Sequence, residues 1–96
     1  MPSRPREQRP SHSYRSSARY ISAAKLLGGR IRELRKARGW TLYAASDAMD
    51  IDLKHLQRLE TGSLNVTLVT LVRMTTGLSV ELDELFGFAQ HIAGAA

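Results

Sequence analysis

The chain has 96 residues, 14 basic and 9 acidic, for a formal charge of +5; that length allows one small domain and a tail, near the size where burial is marginal and dimerisation helps. It has no cysteine, which excludes disulfides, thiolate zinc sites and a cysteine nucleophile, and neither a membrane span of about 18 apolar residues nor a secretory signal is present. The expectation is a soluble cytoplasmic protein whose charge divides into +4 over residues 1–19, +3 over 20–60 and −2 over 61–96, an asymmetry suited to a polyanion on one side.

Residues 1–19 are rich in Pro, Ser and Arg with almost no aliphatic side chain. They cannot bury enough surface to offset the entropy of ordering, so a disordered basic arm is predicted. Such an arm either follows phosphates or a minor groove on binding or serves as a solubilising tail. A folded domain is expected over 20–88. Ile21, Ala24, Leu27, Ile31 and Leu34 make one apolar stripe of a helix ending at Gly39. The Gly28-Gly29 pair weakens that helix by about 1 kcal/mol per glycine; a break there would make Tyr20 to Leu27 a separate short helix. Trp40 is a core anchor, and Thr41 caps a second helix that runs to about Met49 and buries Ala45 and Met49.

Asp50 occupies the following turn, where a left-handed residue is expected. Asp52 caps a third helix that Gly62 ends, and Thr61, Gly62, Ser63 and Asn65 form a polar loop. Thr67 caps a fourth helix with core positions Leu68, Leu71, Val72 and Met74 and Gly77 as its stop. Ser79 opens a fifth helix, with Glu81, Asp83 and Glu84 near the positive end of its dipole and Leu82, Leu85 and Phe86 facing inward. Gly87 interrupts it. Residues 89–96 form a tail or a dimer contact, and Phe86, Phe88 and Ile92 are the candidate contact residues.

Thr41 to Gly62 thus reads as two short helices joined by a tight turn. At about 100° per residue, Leu56 and Leu59 point one way while Lys54, Gln57 and Arg58 point the other. A helix that docks on its own domain and presents hydrogen-bonding groups outward suits the second helix of a DNA-binding helix-turn-helix. Nothing comparable supports an enzyme. His12, His55 and His91 are scattered, Asp50 and Asp52 are explained by capping, and neither a phosphate-binding GxxxxGK[ST] loop nor HExxH occurs. No catalytic residue, metal site or cofactor is expected.

The residues RIRELRKARGWT at 30 to 41, the small-residue second helix, HLQRLETG at 55 to 62 and TLVTLVRMTTGLSVELDELF at 67 to 86 together resemble the lambda-repressor-like helix-turn-helix family, the Cro/repressor or xenobiotic-response-element type. The resemblance covers Leu27 to Phe86. It implies an all-α, five-helix domain that binds double-stranded DNA as a homodimeric transcriptional regulator. It also implies base reading by Leu53, Lys54, His55 and Arg58, with Gln57 on the same outer face. Phosphate contacts are implied for Thr61, Ser63 and Asn65, and a structural ion pair for Arg35 and Glu60. A glutamine that anchors a phosphate in many members is replaced by Leu42, so Thr41, Tyr43 or a helix-one arginine must substitute. Ala45 stands where many members have leucine. Related small proteins act as controllers of restriction-modification genes or as antitoxins that bind a partner protein, and that adaptor role is the alternative reading.

Overall fold

The computed structural model describes residues 17–63 and 65–87. The expectations for residues 1–16, and for Phe88 and Ile92, fall outside that range. Ser17 begins the first helix, α1 (Ala18–Ala37), by accepting the Tyr20 amide on its hydroxyl at 3.1 Å. This start takes in Ala18 and Arg19, two residues assigned by sequence to the arm. The helix runs unbroken through Gly28-Gly29, so Tyr20 to Leu27 is not a separate helix. A Cβ at Gly28 would collide with the carbonyls of Leu59 and Glu60, whereas one at Gly29 would meet open space. Gly28 therefore lets two backbones cross closely, and the packing gained there outweighs its poor helix propensity.

Thr41 accepts the Ala44 amide at 3.0 Å and opens α2 (Leu42–Met49). Asp50 takes up the left-handed conformation, φ 56 and ψ 48. Asp52 then caps α3 (Leu53–Glu60), accepting the amides of Lys54 and His55 at 3.1 and 3.3 Å. The chain leaves α3 through Thr61 and Gly62, the latter at φ 76. Thr67 caps α4 (Leu68–Leu78), and α5 (Leu82–Leu85) is a single turn that starts after Glu81. Every regular element among the described residues is helical.

The core is shared by all five helices, with Ile31, Met49, Leu56, Met74, Leu78 and Leu85 fully enclosed. Helix α1 packs on α3, α2 packs on α3 and α4, and α5 closes against α4 and α1. Trp40 lies half-buried against this core, with the Arg38 guanidinium 6.0 Å from its ring centre. Cations fasten the helix ends. Arg30 donates to the Glu84 carbonyl from Nε at 3.1 Å and Nη2 at 2.8 Å, and Arg38 donates to the carbonyls of Leu34 at 2.8 Å and Leu78 at 2.6 Å. These contacts occupy carbonyls that a helix cannot satisfy internally and match the negative end of its dipole.

Four expectations for the C-terminal half need correction. Leu68 and Val72 are 67% and 48% exposed, because α4 turns Met74, Thr75 and Leu78 inward, with Leu71 half-buried beside them. Gly77 does not stop α4. A Cβ there would strike the Ala48 carbonyl and Met49 Cα, so this glycine permits the close approach of α2, and the helix continues to Leu78. Ser79 does not open α5 either; at φ 58 it closes α4 in the left-handed conformation. Of the residues placed inward on α5, Leu85 is buried and Phe86 half-buried, but Leu82 is exposed.

Candidate nucleic-acid interface

Helix α3 is fixed by its two ends and by its inner face. Leu56 and Leu59 are buried, Asp52 holds the first turn, and the Glu60 carboxylate ties the last turn to α1. Arg35 donates from Nε to Oε2 of Glu60 at 2.7 Å and from Nη2 to Oε1 at 3.0 Å, while its Nη1 donates to the Trp40 carbonyl at 2.9 Å. Both side chains are less than one-tenth exposed. The hydrogen bonds it donates to Glu60 raise the pKa of the Arg35 guanidinium above its ordinary value; desolvation opposes this, and the charge of Glu60 adds to it. Three donors of one planar group thus join the end of α1, the link between α1 and α2, and the end of α3.

This clamp leaves the opposite face of α3 open. Gln57, Lys54 and Arg58 project within an arc of about 100°. All three are exposed, and none of their side chains bonds to a described residue. Leu53, 37% exposed, lies at the start of this face. His55 is the exception: it is half-buried, and its Nε2 is enclosed without a hydrogen-bond partner. Four of the five sequence-derived base-reading candidates therefore share one accessible surface, and His55 offers it only an edge.

Several of the residues expected at phosphates have structural duties. Tyr43 is 72% exposed. Thr41 accepts the Ala44 amide, which leaves its hydroxyl proton available. Thr61 and Ser63 lie 2.9 Å apart, and both hydroxyls reach the Arg58 carbonyl, at 3.0 and 3.2 Å. Asn65 accepts the Tyr20 hydroxyl at 3.5 Å. The loop after α3 is thus braced by its own side chains. Between α1, the start of α2 and the end of α3 is an open depression lined by Arg32, Arg35, Leu42, Gln57, Glu60 and Thr61. The sequence does not single out Arg32 among the helix-one arginines. Only the crossing of α1 over α3 at Gly28 brings it beside Gln57.

No group of His, Asp and Glu side chains among the described residues is arranged to hold a metal ion. Asp47, Asp50 and Asp52 border a second, polar hollow beside the turn, but capping and turn geometry occupy Asp50 and Asp52. A further surface went unnoticed in the sequence. Leu68, Val69 and Val72 of α4, which are 67%, 62% and 48% exposed, form an outward apolar strip, and Leu82 of α5 is 42% exposed. No described helix is long and apolar enough to cross a membrane.

Comparison with known proteins bears on this geometry. A helix-turn-helix family profile matches residues 31–85, from the middle of α1 to the end of α5. The structure is similar to that of the restriction-modification controller protein C.AhdI from Aeromonas hydrophila, with 34% identity and a TM-score of 0.63 over 68% of this chain and 97% of that one. It is also similar in fold to a transcriptional regulator from Vibrio cholerae, with 23% identity and a TM-score of 0.68 over 72% of this chain and 39% of that one. No curated protein sequence matches the chain. The profile covers more than half of the chain and spans the clamp, the turn and the open face of α3: the chain belongs to the lambda-repressor-like helix-turn-helix family.

Proposed function

We propose that this protein is a sequence-specific regulator of transcription that binds double-stranded DNA as a homodimer on a palindromic operator. The observation that carries this reading is the division of α3 into a buried face, Leu56 and Leu59, and an uncommitted outer face, Lys54, Gln57 and Arg58. A major groove admits one helix, and its base edges are read by such side chains. Lys54 and Arg58 suit the two acceptors of guanine, and Gln57 suits adenine. Leu53 suits a thymine methyl, and His55 adds its exposed edge. Thr41, Tyr43, Thr61, Ser63 and Asn65 flank this face as phosphate contacts.

The likeness to the restriction-modification controller protein C.AhdI supports a controller-type role. Dimerisation is supported by the apolar strip of Leu68, Val69 and Val72 on α4 with Leu82 on α5, which a second copy would cover; Phe86, Phe88 and Ile92 are the other proposed contacts. Two copies of α3 would then enter successive major grooves about 34 Å apart. The same strip is what an adaptor would use for a different protein partner. Selection of bound duplexes from a random-sequence pool, beside the Lys54→Ala/Arg58→Ala double variant, separates the two readings. The proposal predicts a palindromic motif enriched by the native chain and lost in the variant. Sequence-blind, salt-labile binding by both proteins alike would favour the adaptor role.

A further inference from the structure

Resting on the DNA-binding reading above, we infer that Arg32 is a backbone-phosphate ligand, seated in the depression between α1, the start of α2 and the end of α3. The cations of α1 and of its C-cap are not equivalent. Arg30 is committed to the Glu84 carbonyl and to Glu33 at 3.1 Å, Arg35 to Glu60 and Trp40, and Arg38 to the carbonyls of Leu34 and Leu78. Arg32 is exposed and makes no hydrogen bond or ion pair with any described residue. It nevertheless lines the depression together with Gln57, a member of the open face of α3.

The charge balance at that position favours an anion. Glu60 is the acidic side chain of the depression, and Arg35 already matches it with two short hydrogen bonds. Arg32 is therefore an unmatched positive charge beside an internally neutral pair. Leu42, also on the rim, has no side-chain donor, but it opens α2, whose first-turn amides carry partial positive charge. When α3 lies in a major groove, a strand of phosphates runs along each edge of the groove. A guanidinium at the rim beside Gln57 reaches such a phosphate with two parallel donors, the geometry that suits a phosphodiester. Arg32 would then fix how α3 is seated without reading bases.

The test is a salt titration of binding to a duplex selected by the native protein, with Arg32→Ala, Arg32→Lys and Lys36→Ala compared. Lys36 is an exposed, equally charged residue of α1 that does not line the depression. Arg32→Ala is expected to weaken binding about tenfold near physiological salt, equally for matched and mismatched duplexes, and to reduce the slope of log K against log salt by about 0.9. Arg32→Lys should keep most of that slope. Lys36→Ala should change it by much less, and melting temperatures should stay together because Arg32 has no partner to lose. Equal slopes for Arg32→Ala and Lys36→Ala would reduce Arg32 to a share of net charge and overturn the inference while leaving the DNA-binding reading intact. A native protein with no preferred duplex would instead remove the parent reading.

Discussion

Arg35 and Glu60 carry the most concentrated interaction at the residue scale. Their side chains are 9% and 7% exposed, and every hydrogen bond of the pair lies between elements that meet at α3. Removing one partner leaves the other charged and buried. Glu60→Ala is therefore expected to cost about 3–5 kcal/mol, which for a domain of this size lowers the melting temperature by at least about 12 °C. An Arg35→Met/Glu60→Leu double variant, with no stranded charge, should recover much of that loss. The pH dependence has a definite sign. Because the folded-state value of Arg35 is raised, its contribution is complete below the unfolded-state value and disappears only as pH rises through the folded one. Both lie far above neutrality, so the stability difference between the native chain and Arg35→Ala should be constant from about pH 7 to 10; denaturant unfolding across that range checks it.

Among the helices, adjacent glycines give opposite expectations. Gly29→Ala meets open space in a helix interior and should stabilise by about 0.5–1 kcal/mol. Gly28→Ala brings the same propensity gain but drives a methyl group into the carbonyls of Leu59 and Glu60, and should destabilise by about 1–3 kcal/mol. Thermal unfolding of the two single variants decides the point, and a stabilising Gly28→Ala would show that the α1–α3 crossing has slack. This pair also marks how far the sequence could be read. Thr41, Asp52 and Thr67 announce their helices because a cap is a local contact over two or three residues, and the left-handed turn at Asp50 follows from its place between two such signals. The inner face of α3 is legible for the same reason, through Leu56 and Leu59. The purposes of Gly28 and Gly77 are not, because each is set by a neighbour far along the chain. Nor is the facing of α4: apolar residues surround that helix, and only its partners decide that Met74 and Leu78 go in while Leu68 and Val72 stay out.

For the whole molecule, the apolar strip on α4 and the open face of α3 make separable claims. If a second copy covers the strip, Val69→Asp/Val72→Asp should leave the fold intact, since both residues are well exposed, yet give a monomer in sedimentation equilibrium where the native chain is a dimer. A native chain that sediments as a monomer at all workable concentrations would assign the strip to another partner. The site on α3 was legible in outline from helical periodicity. Its edge, with Arg32 in the depression, depended on how α1 and α3 cross, and the half-burial of His55 on tertiary packing. In the proposed complex, sequence-specific binding depends most on a base contact from Arg58. Affinity of the native chain and of Arg58→Ala for a selected duplex, and for the same duplex with each base pair exchanged, measured at one salt concentration, tests it most directly. Arg58→Ala is expected to lose about 1–3 kcal/mol of discrimination, roughly 5- to 150-fold, at one base pair per half-site, and to keep its preferences elsewhere. A variant that is weakened equally on every duplex, with its sequence preference unchanged, would contradict the base contact.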